Sequence, residues 1–260
     1  MNSLNNRAND RMNNAGTDFS SGKGQMLVSD IVKSDYRAAA VFEQYGIDFC
    51  CKGNRMLDSA CGEKGIDTSA VIGELDRLGS VAAVDSNRYE LWDLDYLGQY
   101  IINNHHNYIR NSVPRIAAHV EKVAYKHGGR HPQMIEVESL FSQISAELLS
   151  HLQKEEKILF PMINSIAEQA RSGKNASDNM VSISGPVSVM EAEHSGAGEI
   201  LERIRLLTDN YTLPADACNT FAVTYQELKE FETDLHKHIF LENSILFPRA
   251  IQLENQLKAA

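Results

Sequence analysis

"HLQKEEKILFP", His151–Pro161, and "HIFLENSILFP", His238–Pro248, state one pattern twice. Each reads His, three residues, Glu, two residues, then Ile-Leu-Phe-Pro, and the two stand 87 positions apart (238 − 151). Residues four apart share one face of a helix, so His151 points with Glu155 and His238 with Glu242. A single His-x-x-x-Glu is an ordinary surface pair. Two of them with the same Ile, Leu and Phe following border buried surface. A charged pair there needs a compensating partner, and a metal ion is one.

If each pair is half of a two-metal site, the other helices must add ligands. The segment VMEAEHSGAG carries one histidine, His194. Further upstream stand His105, His106 and His119. The register favours His106, which continues the stripe Ile102, Ile109 and Val113, and His105 is the competing choice. The intervals then agree: 45 from His106 to His151 (151 − 106) and 44 from His194 to His238 (238 − 194). Two similar hairpins thus offer four histidines and two glutamates. That is too many donors for one tetrahedral zinc and too much nitrogen for magnesium or calcium. Imidazole with carboxylate suits two octahedral ions with open positions, iron first and manganese next. Glu191-x-x-His194 matches the ferritin-like spacing, but nothing matches it opposite, so Glu191 reads as structural or as support for a ligand.

The surrounding texture is helical. Four long amphipathic segments are expected at about 88–126, 133–171, 187–209 and 215–257. The first carries Leu91, Leu94, Gly98, Ile102, Ile109, Val113, Ile116 and Val120 on its stripe, and the second includes Ile135, Leu140, Ile144, Leu148 and Ile158. The third includes Val189, Ile200, Leu201, Ile204 and Leu207, and the fourth Phe221, Leu228, Phe231, Leu235 and Ile239. Polar connections bearing Gly or Pro separate them, so the fold class is all-α, an antiparallel four-helix bundle over 88–257. Ahead of it, 25–82 reads as a small helical domain. It has helical patterns at Tyr36–Tyr45 and Thr68–Leu78 around the turn-rich YGIDFCCKGN. So short a module is marginal alone and must pack on something else. The Asn-rich stretch 1–24 reads as a disordered tail.

The net charge of −10 argues against a nucleic-acid surface, which needs clustered positive charge. No apolar run approaches the roughly 20 residues of a membrane span, and the N-terminus lacks the apolar core of a secretory signal. Cys50, Cys51, Cys61 and Cys218 do not form a disulfide framework for a chain of 260 residues, which favours a reducing cytoplasm. Adjacent cysteines cannot chelate a metal as Cys-x-x-Cys does. Cys50 and Cys51 are either partly buried structural thiols or reactive ones, with Lys52 favouring a thiolate. Cys61 and Cys218 read as ordinary small residues.

DFCCKGN, ELLSHLQKEEKILFP, GPVSVMEAEH and HIFLENSILFPRA together resemble the RIC (repair of iron centers) family, also called YtfE/ScdA proteins. The resemblance covers about residues 26–252. It implies a hemerythrin-like di-iron bundle behind an ScdA-type N-terminal domain. His106, His151, His194 and His238 would ligate iron. Glu155 and Glu242 would bridge the two irons, with an oxo or hydroxo group completing the core. Glu147 and Glu193 stand where the family places acidic residues near the metal, and Glu147 is one turn before His151. His105 departs from relatives that carry an aromatic residue there. The family also has the Cys-Cys motif, which favours thiol exchange at Cys50 and Cys51.

The function so implied is repair of iron-sulfur clusters damaged by nitrosative or oxidative stress, by donation of iron to apo or damaged iron-sulfur proteins. Two other classes stay open: an enzyme reducing NO or peroxide at the di-iron site, and a carrier or sensor of O2 or NO. A donor loses iron stoichiometrically, whereas an enzyme turns over with iron retained. The oligomeric state is open, a homodimer included.

Overall fold

The computed structural model describes residues 20–79, 88–173 and 181–259. Most of the expected tail, and the junction near residue 82, lie outside the described residues. Ser20–Lys23 form a single helical turn.

Four long helices at 94–127, 133–171, 184–207 and 219–259 form the bundle. The first packs along the second and the fourth, and the second along the third. Short connections at 128–132 and 208–218 reverse the chain, so neighbours run antiparallel. The second connection holds Asp209, Asn210 and Tyr211 with φ of 48°, 54° and 61°. Left-handed backbone is unfavourable for residues with a Cβ. The Tyr211 hydroxyl, which donates to buried Glu232 at 2.9 Å, anchors the run.

The bundle core is aliphatic and aromatic. Ile109, Ile116, Ile144, Leu201, Leu228 and Leu235 are buried, and Phe141 meets Phe231 edge-on at 5.4 Å. Each such aliphatic contributes roughly 1.5–3 kcal/mol over its exposed state.

Three of the bundle helices widen into π-turns, at Ile102–His106, Glu155–Leu159 and Glu242–Leu246. The last two begin at the glutamates of the repeated pattern. The prolines that end the pattern explain both. Pro161 and Pro248 have no N–H, so the carbonyls four residues back cannot be held in the α-helical manner. An extra residue is accommodated instead, as is common at functional sites.

These interruptions correct part of the expected stripe. Leu91 is 64% exposed, because a 3-10 turn at Tyr89–Leu91 precedes the helix that begins at Leu94. Ile158 is 54% exposed, because the π-turn rotates it off the face that buries Leu159 and Phe160. Ile135 lies over Gly128 at the end of the bundle, outside the core. The third helix buries Val187, Met190, His194, Ala197 and Leu201, and that register turns Val189 to solvent.

The N-terminal segment folds as Val28–Ser34, Ala38–Gln44, Leu57–Lys64 and Thr68–Gly79, joined by one antiparallel bridge between Leu27 and Met56. The helical patterns expected at Tyr36–Tyr45 and Thr68–Leu78 correspond to the second and fourth of these helices, and the first and third are additional. The segment does pack on the bundle. Tyr36 and Phe49 lie 5.8 and 5.9 Å from the ring of Phe240 on the fourth bundle helix.

Candidate metal centre

His106, His151, Glu155, His194, His238 and Glu242 converge from four different helices and are all buried. Their polar atoms fall into two groups. His106 Nε2 and His238 Nε2 are 3.2 Å apart, and His151 Nε2 and His194 Nε2 are 3.0 Å apart. Each glutamate faces both pairs. Glu155 Oε1 lies 3.3 Å from His151 while its Oε2 lies 3.3 Å from His106. Glu242 Oε1 lies 3.1 Å from His238 while its Oε2 lies 3.2 Å from His194. The repeated pattern therefore forms a pseudo-twofold site with two carboxylates across its middle.

All four of these carboxylate oxygens are buried and meet no hydrogen-bond donor in good geometry among the described residues. Such groups demand a compensating charge. Burial opposes charge on the imidazoles, yet Glu155 and Glu242 lift His106 to about 10, and the same carboxylates with Glu193 lift His151 to about 9. Burial and the facing carboxylate oppose charge on Glu155, but the imidazoles hold it below the usual carboxylate range. Glu242 is held well below that range in the same way. His238 is the exception: complete burial lowers it. Nitrogen and oxygen donors without thiolate, facing one another across buried carboxylates, fit cations of the iron and manganese type.

The far ring nitrogens are also arranged by the repeat. His106 donates from Nδ1 to Glu156 at 2.7 Å, and His194 donates from Nδ1 to the Asn243 side-chain oxygen at 2.8 Å. Glu156 and Asn243 occupy the same place in the two copies of the pattern, one residue after each central glutamate. His151 donates from Nδ1 to Glu193 at 2.8 Å, and Glu193 also pairs with Lys154. Such partners orient the rings and leave Nε2 aimed at the centre. Sequence reasoning passed over Glu156 and Asn243, although aligning the two copies would have exposed them.

The other predicted residues divide. Glu193 joins the site, as just described. Glu147 is exposed and accepts from Gln143 at 3.0 Å, touching no member of the cluster. It lines a cleft of about 410 Å³ together with His151, Lys154, Glu193 and His194. Glu191, expected to play a structural or supporting part, is exposed. His105 is buried beside the cluster and donates from Nδ1 to Asp234 at 2.9 Å.

The cysteine turn lies against the site. Asp48 accepts from the backbone N–H groups of Cys50 and Cys51 at 3.1 and 2.9 Å, which shapes the turn. Gly53 closes it, since a Cβ there would sit 2.2 Å from the Phe49 carbonyl oxygen. The Cys51 thiol donates to the His194 carbonyl at 3.4 Å, and the Asn243 amide donates to the Cys50 carbonyl at 3.3 Å. Both thiols are free, 3.7 Å apart. The expectation that Lys52 favours a thiolate fails for Cys50, because its contact with Cys51 and its burial push it well above the usual thiol range. Cys61 is buried, and Cys218 is exposed beside His127.

Comparison with known proteins accords with this geometry. Residues 97–250 match the Hemerythrin HHE cation binding domain, and residues 24–79 match ScdA_N, a domain of unknown function. The iron-sulfur cluster repair protein YtfE of Musicola paradisiaca (strain Ech703) is 38% identical over 84% of this chain and 92% of its own. The chain belongs to the YtfE family. Iron-sulfur cluster repair proteins YtfE of Enterobacter sp. (strain 638) and Yersinia pseudotuberculosis are 37% and 38% identical, over 86% and 84% of this chain and 96% and 93% of theirs. In this member of the YtfE family the HHE match contains all six clustered residues, and the ScdA_N match contains Cys50 and Cys51. No helix among the described residues is long and apolar enough to cross a membrane.

Proposed function

We propose that this chain repairs damaged iron-sulfur clusters, with two irons held by His106, His151, His194 and His238 and shared by Glu155 and Glu242. One observation carries the reading: each central glutamate turns one oxygen to each imidazole pair, with no other partner for that oxygen among the described residues. The relatives named for iron-sulfur cluster repair support the cellular role. Bound there, iron is an exchangeable cargo, because every donor accepts a proton and none is a thiolate.

Three parts of the chain serve release. Glu193 holds the His151 ring, and the cleft beside it opens that half of the site to water and small ligands such as NO. Protonation of Glu193 frees the ring to turn. The thiols of Cys50 and Cys51, on the His194 side, receive iron or pass it to an apo iron-sulfur protein. Residues 25–82 thus act as the delivery domain and 88–257 as the iron store. Four free thiols suit a reducing cytoplasm.

The test follows iron transfer and NO consumption together, without oxygen, in loaded protein mixed with an apo iron-sulfur protein. The expected result is stoichiometric loss of iron to the acceptor, faster from reduced than from oxidised protein and slower in Glu193→Leu. Iron that stays bound through many NO turnovers would replace the donor with an NO-reducing enzyme.

A further inference from the structure

The two halves of the site differ in one register position. Glu193 precedes His194 and holds His151, whereas the equivalent residue before His106 is His105. His105 makes no such bond. Its ring stacks near-parallel to that of His238, with planes 5° apart in angle and centroids 5.9 Å apart, and the buried Nδ1 of His238 has no partner among the described residues. A chain of aromatic rings continues outward from there. His105 meets Tyr100 at 5.9 Å, Tyr100 meets Trp92 at 5.1 Å, and Trp92 meets Tyr96 at 5.0 Å. Exposure rises along the chain, from buried His105 through half-buried Tyr100 and Trp92 to Tyr96, which is 60% exposed.

Every step lies within the usual range for contacting aromatic rings. Packing alone does not call for an aromatic series that ends in water. We propose that Trp92, Tyr100 and His105 form a route by which single electrons pass from the protein surface to the His238 side of the metal centre. Trp92, the sole tryptophan of the chain, is its outer station. An indole gives up an electron before its proton, whereas a phenol needs a base for its proton. Among the described residues the Tyr100 hydroxyl is paired with the Tyr89 hydroxyl, at 3.4 Å, which is no base, and so Tyr100 serves as a bridge. The Lys237 ammonium lies 5.5 Å from the Tyr89 ring and makes that ring harder to oxidise, which keeps the electron path on Trp92.

The oxidant is hydrogen peroxide at the site, and the reductant is a thiol in solution. One electron leaves Trp92 through Tyr100 and His105, and the indole N–H proton passes to water. A thiol then gives the indolyl radical a hydrogen atom and leaves as a thiyl radical, and two thiyl radicals join as a disulfide. Two such cycles supply the electrons, and water the protons, that convert one hydrogen peroxide to two waters. The route rests on the iron reading proposed above.

The experiment mixes iron-loaded protein with hydrogen peroxide, freezes it rapidly and records the electron paramagnetic resonance of organic radicals, with iron content measured on the same samples. The expected result is a tryptophanyl signal in wild type that is lost in Trp92→Phe and falls severalfold in Tyr100→Phe and His105→Leu at unchanged iron content. No radical in iron-loaded wild type, or equal yields in all four proteins, overturns the proposal. A second measurement needs no iron. Azide radicals made by pulse radiolysis oxidise Trp92 selectively in metal-free protein, and its radical passes to tyrosine. In protein carrying Tyr89→Phe and Tyr96→Phe, which removes the other two tyrosine rings touching Trp92, Tyr100→Phe should slow that passage severalfold, and an unchanged rate removes Tyr100 from the route. Absence of bound iron with a slowed passage sinks the metal reading while leaving the coupling of the rings standing.

Discussion

The Cys51 thiol donates to the backbone carbonyl of His194 at 3.4 Å, so the cysteine turn of the N-terminal segment touches a member of the buried histidine-glutamate cluster. The contact is doubled by Asn243, whose side chain accepts from the His194 ring and donates to the Cys50 carbonyl. One side-chain amide thus joins the His194 ring to the backbone of the cysteine turn.

Asn243→Ala should loosen both partners. The His194 ring loses the group that fixes it, and iron affinity should fall about 10–100-fold at that half of the site. Iron titration followed by absorbance checks this. Unchanged affinity for both irons would show that packing alone orients His194.

Glu155→Ala and Glu242→Ala should each cost more than one iron per chain, because each carboxylate faces both imidazole pairs. The melting temperature of the loaded protein should fall as well, since metal binding is coupled to folding. Elemental analysis with a thermal melt decides it: a variant that keeps two irons and its melting temperature has lost no shared ligand.

Protein stripped of metal should lose stability in alkali. His106 and His151 are raised from 6.5 to about 10 and about 9. A group raised on folding stabilises fully below its unfolded value, and that contribution disappears as pH climbs through the folded one. The melting temperature should be highest below about 6.5, fall progressively as pH rises above that value, and level off above about 10, where both contributions are gone. Loaded protein should drop less, because a cation replaces those protons. Equal alkaline losses with and without metal would contradict this origin.

Cys50→Ala with Cys51→Ala should leave iron content intact, since neither thiol belongs to the buried cluster of six. Transfer to an apo iron-sulfur protein should fall. Full transfer by the double variant would make the turn a structural element only.

Much of this site could be read in the chain because helical periodicity and the twofold pattern are local properties. His151–Glu155 and His238–Glu242 follow from i,i+4 spacing, and the near-equal intervals of 45 and 44 point to His106 and His194. The bundle follows from four long apolar stripes. Local pattern thus carried the four long helices, the pseudo-repeat and the six residues that meet. The remainder depends on contacts between helices, which no local pattern encodes. Periodicity does not show that Glu156 and Asn243 reach across to the rings of other helices, that π-turns rotate Ile158 out of the core, or that Glu147 stops short of the cluster while Glu193 joins it. It is equally silent on Cys51 lying against His194, 143 residues away. A ring orientation or a docked turn is selected by the free energy of the assembled core, where buried polar atoms must find partners, and no single segment contains that information.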